Sequence, residues 1–435
     1  MFEFMESNQK IERIFKKIQL AINDIINGTL PISSISERMK GIDKSYHQSQ
    51  IMKGLDELGF HTFTPEEQLC LIMSANHIYN NGIQPFNTDS ISKGNIAIAI
   101  RKGKELLIER GLVRYVAYDT DVPEKNACRK DRVMLSAEAC GKIFHGMKNI
   151  ISYERMARQV EIIKSSTINS KVLFFEKENQ NDIQRIYKAL AEDKYKEVMS
   201  RLKDMKRRPA ITCLFYGAPG TGKTELAKQL AKATGRDIMI ADVSKLHGSF
   251  TGDTEKNYRE MFLGYKYLEK ISDNPPILLF NEADGILGKR GNVMRQAIDK
   301  ISNRIQNILL QEMEDFEGIF IATTNLASNL DPAFERRLLY KIEFKQPGEE
   351  VRKKIWKTMI PELEDVYIDI LASKYNFSGG QIENVATKRD LDYIIEGTEP
   401  SILKIQEYCE TEMIKSKNSM NKIGFRTKEN YKIRM

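Results

Sequence analysis

Ile211-Thr212-Cys213-Leu214-Phe215-Tyr216 runs directly into Gly217-Ala218-Pro219-Gly220-Thr221-Gly222-Lys223-Thr224, and the reading of that join decides the fold. The first six residues form an apolar run of strand length. The next eight fit G-x-x-x-x-G-K-[ST], and a helix is expected from Glu225 to Ala233. Strand, glycine-rich loop and helix in that order make a phosphate cradle. Glycines let the backbone close around an anion with its N–H groups turned inward, and the positive end of the following helix stands behind them. Lys223 would then reach the β- and γ-phosphates, the Thr224 hydroxyl would ligate Mg²⁺, and Glu225 would follow in the first helical turn. A glycine turn with a chance Lys-Thr is the bland alternative, and the flanking strand and helix speak against it. A site for ATP with Mg²⁺ is the expectation.

Working outward, apolar runs at 238–241, 277–280, 318–323 and 341–344 alternate with helical stretches. That alternation predicts an α/β fold, a doubly wound parallel sheet. Ile277-Leu278-Leu279-Phe280 ends in Asn281-Glu282-Ala283-Asp284, and Ile319-Phe320-Ile321-Ala322-Thr323-Thr324 ends in Asn325. Leu330-Asp331-Pro332-Ala333-Phe334-Glu335-Arg336-Arg337-Leu338 follows, then Phe377-Ser378-Gly379-Gly380-Gln381-Ile382-Glu383-Asn384. Between the first two strands lies Gly248-Ser249-Phe250-Thr251-Gly252-Asp253-Thr254-Glu255-Lys256-Asn257. From about residue 182 onward this ordered set resembles the AAA ATPases in the narrow sense, the ring-forming group that includes katanin, spastin and bacterial relatives.

The resemblance implies a P-loop NTPase sheet with a helical lid, and it implies roles. Glu282 matches the carboxylate that polarises the attacking water. Asn281 stands where the family usually has Asp; its amide oxygen can accept a hydrogen bond from a metal-bound water, but the negative charge is missing, which puts the rate of hydrolysis in question. Asn325 matches the first sensor, beside Glu282; a structural Asn capping a strand end is the alternative. Arg336 and Arg337 match two arginine fingers presented to a neighbour's nucleotide, although paired arginines are common on solvated helices. Gly379 and Gly380 match small residues packed against adenine and ribose, or they form only a helix-start turn. Phe316, in Glu314-Asp315-Phe316, matches an inter-subunit probe or is a core residue. Phe250 matches the aromatic of a pore loop that grips a polypeptide; a core Phe is the plain reading. Gly288-Lys289-Arg290-Gly291-Asn292 fits a second pore loop.

The N-terminal half is mainly helical by pattern. Ile11, Ile14, Phe15, Ile18, Ala21, Ile22 and Ile25 recur at helical spacing, whereas 29–59, with Pro31, Gly41 and Gly54, reads as loop and short helix. From 61 to 150, a helix, turn, second helix, the phrase Glu109-Arg110-Gly111-Leu112-Val113 and a closing Leu135-Ser136-Ala137-Glu138-Ala139 resemble a winged helix. That likeness would set Arg101, Lys102 and Lys104 on a recognition helix and Arg129, Lys130 and Arg132 on a wing, facing DNA. Acidic neighbours and a protein-contact role weigh on the other side. The expected organisation is a helical segment 1–60, winged-helix-like module 61–150, helical connector 151–208, large AAA domain 209–345, lid 346–414 and basic tail 415–435.

Composition narrows the class. At 435 residues, 41% hydrophobic and 29% charged, the chain is a globular protein of two or three domains. No apolar stretch approaches the ~18 residues that span a bilayer. The net charge of +7 sits largely in the tail, so a basic body gripping nucleic acid is not implied. Five cysteines without CxxC fit reduced thiols in a cytoplasmic protein, and Cys128, Cys140 and His145 match no zinc-finger spacing. The expected activity is ATP hydrolysis by a ring homo-oligomer, a hexamer, that remodels a protein client. A DNA-associated ATPase acting through 61–150, or a scaffold in which Asn281 slows hydrolysis, are the alternatives.

Overall fold

The computed structural model describes residues 2–46, 49–82, 86–88, 94–117, 128–147, 160–242, 251–288, 296–325 and 330–417. Phe250, the stretches 118–127 and 289–295 and the residues beyond 417 lie outside the described residues. The chain divides into two compact units. One comprises Met1–Ser170, Gln184–Phe215 and Ala227–Ile342; the other comprises Lys171–Ile183, Tyr216–Leu226 and Glu343–Met435.

In the first unit, helix Phe2–Ile26 buries Ile14, Phe15, Ile18, Ile22 and Ile25, the stripe its spacing predicts. Phe15 stacks on Tyr79 with ring centroids 4.0 Å apart. The stretch read as loop and short helix holds two helices, Ile35–Tyr46 and Gln50–Glu57, the second capped by Ser49. Gly54 does not break the second helix. A Cβ there would stand 2.1 Å from the carbonyl oxygen of Lys142, so the glycine marks a close helix crossing. Helix Pro65–Asn81 starts from a capping box between Thr64 and Glu67. Strands β1 (Phe86–Asn87), β2 (Val113–Ala117) and β3 (Cys128–Leu135) form an antiparallel sheet in the order β1-β3-β2, with helices Asn95–Glu109 and Ala137–Phe144 around it.

Lys104 is not on a nucleic-acid face. It is buried, with its Nζ 3.2 Å from Thr88 Oγ1, while Lys102 is drawn to Glu66 at 3.2 Å. Of the three bases assigned to that helix, Arg101 and Lys102 are exposed. The side chains of Arg129 and Lys130 lie outside the described residues.

The second sheet has six strands in the order β4-β6-β7-β8-β5-β9. They are β4 (Val160–Ile163), β5 (Ala210–Gly217), β6 (Ile238–Asp242), β7 (Ile277–Asn281), β8 (Gly318–Thr324) and β9 (Tyr340–Phe344). Strands β5 to β9 lie where the apolar runs place them. β7 and β8 are buried almost throughout, which is why they read as unbroken hydrophobic runs. β6, β7 and β8 pair in parallel, but β4 pairs antiparallel with β6, so the sheet is mixed. β4 comes from a segment that reads as helical connector. Its four residues are only half-buried at the sheet edge and carry little hydrophobic signal. Helices Lys177–Leu190 and Glu192–Asp204 supply the helical part of that connector.

In the second unit, helices Glu349–Met359, Asp365–Lys374, Gly379–Glu396 and Ile402–Lys417 pack around Trp356, Leu371, Tyr375, Val385, Ile405 and Cys409. No helix among the described residues is long and apolar enough to cross a membrane. Cys70, Cys140, Cys213 and Cys409 are free and buried, and burial pushes the Cys70 thiol up to about 12, so these thiols are packing groups. No cluster of three metal-ligating side chains occurs among the described residues, Cys140 and His145 included.

Candidate nucleotide site

The phosphate loop belongs to the second unit, and its glycines do different work. Gly217, Gly220 and Gly222 all have positive φ, at 138°, 74° and 94°. A Cβ on Gly217 would meet the Phe344 carbonyl oxygen at 2.1 Å and one on Gly220 would meet Ser378 Oγ at 2.7 Å, so both are required by close approach as well. At Gly222 a Cβ would meet nothing within 4 Å, so there the backbone conformation alone demands glycine and the loop presents an open face. Lys223 opens helix Lys223–Thr234; its buried Nζ donates to the carbonyls of Gly217 (2.9 Å) and Ala218 (2.7 Å), and Thr221 Oγ1 also donates to Ala218 O (2.8 Å). The ammonium is thereby held along the loop's rim, over the positive end of a twelve-residue helix. Pro219 and Gly220 form the exposed tip, with Thr224 and Glu225 half-buried behind it. An open glycine backbone, a fixed ammonium and a helix N-terminus fit a polyphosphate.

Gly379 and Gly380 form a helix start, as one of their two readings has it. Ser378 is the N-cap, locked by a capping box with Gln381. They also grip the loop. The Gly380 N–H donates to the Gly220 carbonyl at 2.9 Å, and a Cβ on Gly380 would lie 3.3 Å from Gly220 Cα. The glycine pair is therefore a backbone-to-backbone seat for the phosphate loop.

The acidic group lies in the first unit, at the C-terminal ends of β7 and β8. Their register pairs Phe280 with Ala322 and so sets Asn281 beside Thr323. The Thr323 hydroxyl accepts the N–H of Glu282 at 3.0 Å and donates to Asn281 Oδ1 at 3.0 Å. Glu282 is exposed and holds φ at 53°, a left-handed conformation that side chains other than glycine rarely adopt. The backbone thus turns sharply at the strand end and lifts one carboxylate clear of a buried strand. Asn325 is exposed next to it in the sheet; its N–H donates to Asp284 Oδ1 at 2.8 Å, and Thr324 Oγ1 bonds the same carboxylate. Thr323 and Asp284 carry no role in the sequence reading. Their signal was present only as a Thr-Thr before Asn325 and a second acid two residues after Glu282.

The two arginines are not equivalent. Both follow the short helix Pro332–Glu335, capped by Asp331. Arg337 is tied down, its Nη2 on Glu314 Oε2 (3.1 Å) and its Nη1 on Ala333 O (3.0 Å). Arg336 is exposed, with Nε at 3.3 Å from Pro332 O. The turn is braced from behind, because Thr212 Oγ1 and Arg208 Nη2 both donate to Arg337 O, at 2.9 and 2.8 Å. Arg208, half-buried, has its pKa pushed down by burial and then by Arg337. Phe316 is a core residue, buried and stacked on Tyr265 at 5.0 Å.

Residues 213–346 match the family "ATPase family associated with various cellular activities (AAA)". This stretch is an AAA ATPase domain, and the six-stranded mixed sheet to which it contributes five strands has the α/β architecture of a P-loop NTPase fold. The chain is 31% identical over 221 residues to the cell division cycle protein 48 homolog of Archaeoglobus fulgidus, covering 48% of this chain and 29% of that protein. It is 31% identical over 191 residues to the 26S proteasome subunit RPT4 of Saccharomyces cerevisiae, covering 42% of each. The chain thus spans well under two thirds of the length of these curated relatives.

Proposed function

We propose that this chain hydrolyses ATP, assembles as a homo-oligomeric ring of six and uses hydrolysis to pull on a protein client. The observation that carries the reading is Glu282, exposed in a strained left-handed turn while the Thr323 hydroxyl ties its N–H to Asn281. Strained backbone of this kind clusters at active sites, and an exposed carboxylate held by it suits a water-orienting role. Lys223 and the loop N–H groups would hold the triphosphate, Glu282 and Asn325 would orient the water, and Thr224 with Asn281 through a water would hold Mg²⁺. Bound there, Mg²⁺ would neutralise phosphate charge; with Asn281 in place of a carboxylate, that hold would be weaker and turnover slower than with Asp at the same position. A 26S proteasome subunit among the relatives supports a protein client over DNA, as does the burial of Lys104.

The exposed Arg336 is the better candidate for completing a neighbouring subunit's site, with Arg337 positioning the turn. Arg336→Ala should lower turnover about 10³-fold and leave ATP affinity unchanged, since the finger acts on transition-state charge. Measuring turnover and ATP affinity in the same preparation checks it. A wild-type rate for Arg336→Ala, with loss confined to Arg337→Ala, would transfer the role.

Client handling rests on Phe250, which precedes helix Thr251–Ile271 in sequence. Phe250→Ala should keep ATP binding and turnover within about twofold and remove most unfolding of a tagged test protein, because an aromatic face grips chain without touching phosphate. Reversing charge at Arg101, Lys102, Arg129 and Lys130 should change neither. If the charge-reversed variant loses activity and salt-dependent DNA binding while Phe250→Ala keeps full activity, the client is DNA.

A further inference from the structure

Helix Thr251–Ile271 buries large side chains on opposite faces, including Tyr258, Phe262, Tyr265, Tyr267 and Ile271. A helix with large side chains buried on two faces needs cover from two directions. One cover is the sheet. The Tyr265 hydroxyl accepts the Ile319 N–H at 2.7 Å and lies 3.1 Å from the Pro276 carbonyl oxygen. Gly318, with φ of 105°, leaves room for it; a Cβ there would stand 2.4 Å from that hydroxyl. Tyr265 is thereby latched to the start of β8, and the far end of the same strand carries Thr323, Thr324 and, just beyond, Asn325.

Tyr267 lies two residues on, about 200° around the helix, and its cover is the N-terminal segment 113–147. Its hydroxyl donates to the Leu135 carbonyl, and the Arg114 guanidinium stands 6.0 Å above its ring. Helix Ala137–Phe144 crosses so closely that a Cβ on Gly141 would meet Lys270 Cβ at 2.7 Å. Lys266 pairs with Glu138 at 3.2 Å, His145 with Asp273 at 3.0 Å, and the Gly146 N–H donates to the Ile271 carbonyl at 2.8 Å. Backbone, buried hydroxyl and ion-pair contacts converge on the C-terminal end of this helix and the residues just after it.

We propose that helix 251–271 is a mechanical joint on which the N-terminal module is mounted. Load or ligand acting on the module reaches Thr323–Asn325 through Tyr267, Tyr265 and β8, with Gly141 and Tyr267 as positioning residues. The module is then a rigid extension of the motor, not an arm on a tether. This goes beyond the proposed function and is tested first without it, by hydrogen exchange on the full chain. In the wild type, amides of 137–147 and 251–271 should exchange together. Gly141→Leu should speed exchange at least tenfold on both sides of the joint and along 318–325, and Tyr267→Phe should do the same to a smaller degree without a steric wedge. In ATPase assays both should lower kcat, about tenfold for Gly141→Leu, with KM for ATP within twofold, a split that general unfolding does not produce. Independent exchange of the wild-type module, or faster exchange in both variants confined to 113–147, overturns the joint. An absence of ATP turnover in the wild type would defeat the proposed function and leave the exchange result to decide the joint.

Discussion

Replacing Lys223 by alanine is expected to remove nucleotide binding. The Lys223 ammonium is held by the carbonyls of Gly217 and Ala218 at 2.9 and 2.7 Å, on the rim of a loop whose open face is lined by backbone. Hydrogen bonds to charged groups contribute about 1.5–3 kcal/mol each. Losing contacts to two phosphates therefore costs about 3–6 kcal/mol, or ~10²–10⁴ in affinity. Loss of the two carbonyl tethers loosens the loop in the same direction. Calorimetric titration with ATP measures the effect, and circular dichroism checks that the chain stays folded. Near wild-type affinity in a folded Lys223→Ala protein would remove the phosphate-loop assignment.

Glu282→Gln should leave ATP bound and reduce turnover about 10²–10⁴-fold, the range in which a positioned general base contributes. Glutamine is isosteric and keeps the Glu282 N–H on Thr323 Oγ1, so the turn survives and only the proton acceptor is lost. The companion change Asn281→Asp runs the other way. A carboxylate can accept the Thr323 hydroxyl just as the amide oxygen does, so the strand end tolerates it. The added negative charge should lower the Mg²⁺ concentration needed for half-maximal turnover by about tenfold. Single-turnover hydrolysis over a Mg²⁺ series reads both variants. Unchanged turnover in Glu282→Gln assigns the base elsewhere, and an unchanged Mg²⁺ requirement in Asn281→Asp removes Asn281 from the metal side.

Much of the AAA domain is legible in the chain because phosphate-binding chemistry fixes residue types at fixed offsets. A phosphate loop needs glycines where φ is positive, and Gly217, Gly220 and Gly222 are those positions. Buried parallel strands have no solvent face, so β6 to β8 read as continuous apolar runs. The same logic explains the misses. β4 is a short half-buried edge strand with only a faint pattern, and the full extent of the helices in 35–57 is hidden because Gly54 looks like a breaker when its neighbour, Lys142, is 88 residues away in sequence.

By itself the sequence determined the order of its motifs, the expectation of a nucleotide-binding class, and the placement of Lys223 at a helix start and of Glu282 and Asn325 just past strand ends, since these depend on spacing along one strand, loop or helix. Tertiary structure alone decided what depends on register and docking. The pairing of β7 with β8 makes Thr323 the link between Asn281 and Glu282. The approach of Glu314 and Ala333 holds Arg337 and leaves Arg336 exposed. Packing turns Lys104 inward and seats Tyr267 beneath the N-terminal module. The physical reason is that burial and hydrogen-bond partnership belong to pairs of residues distant in sequence, and a linear pattern records only one member of each pair.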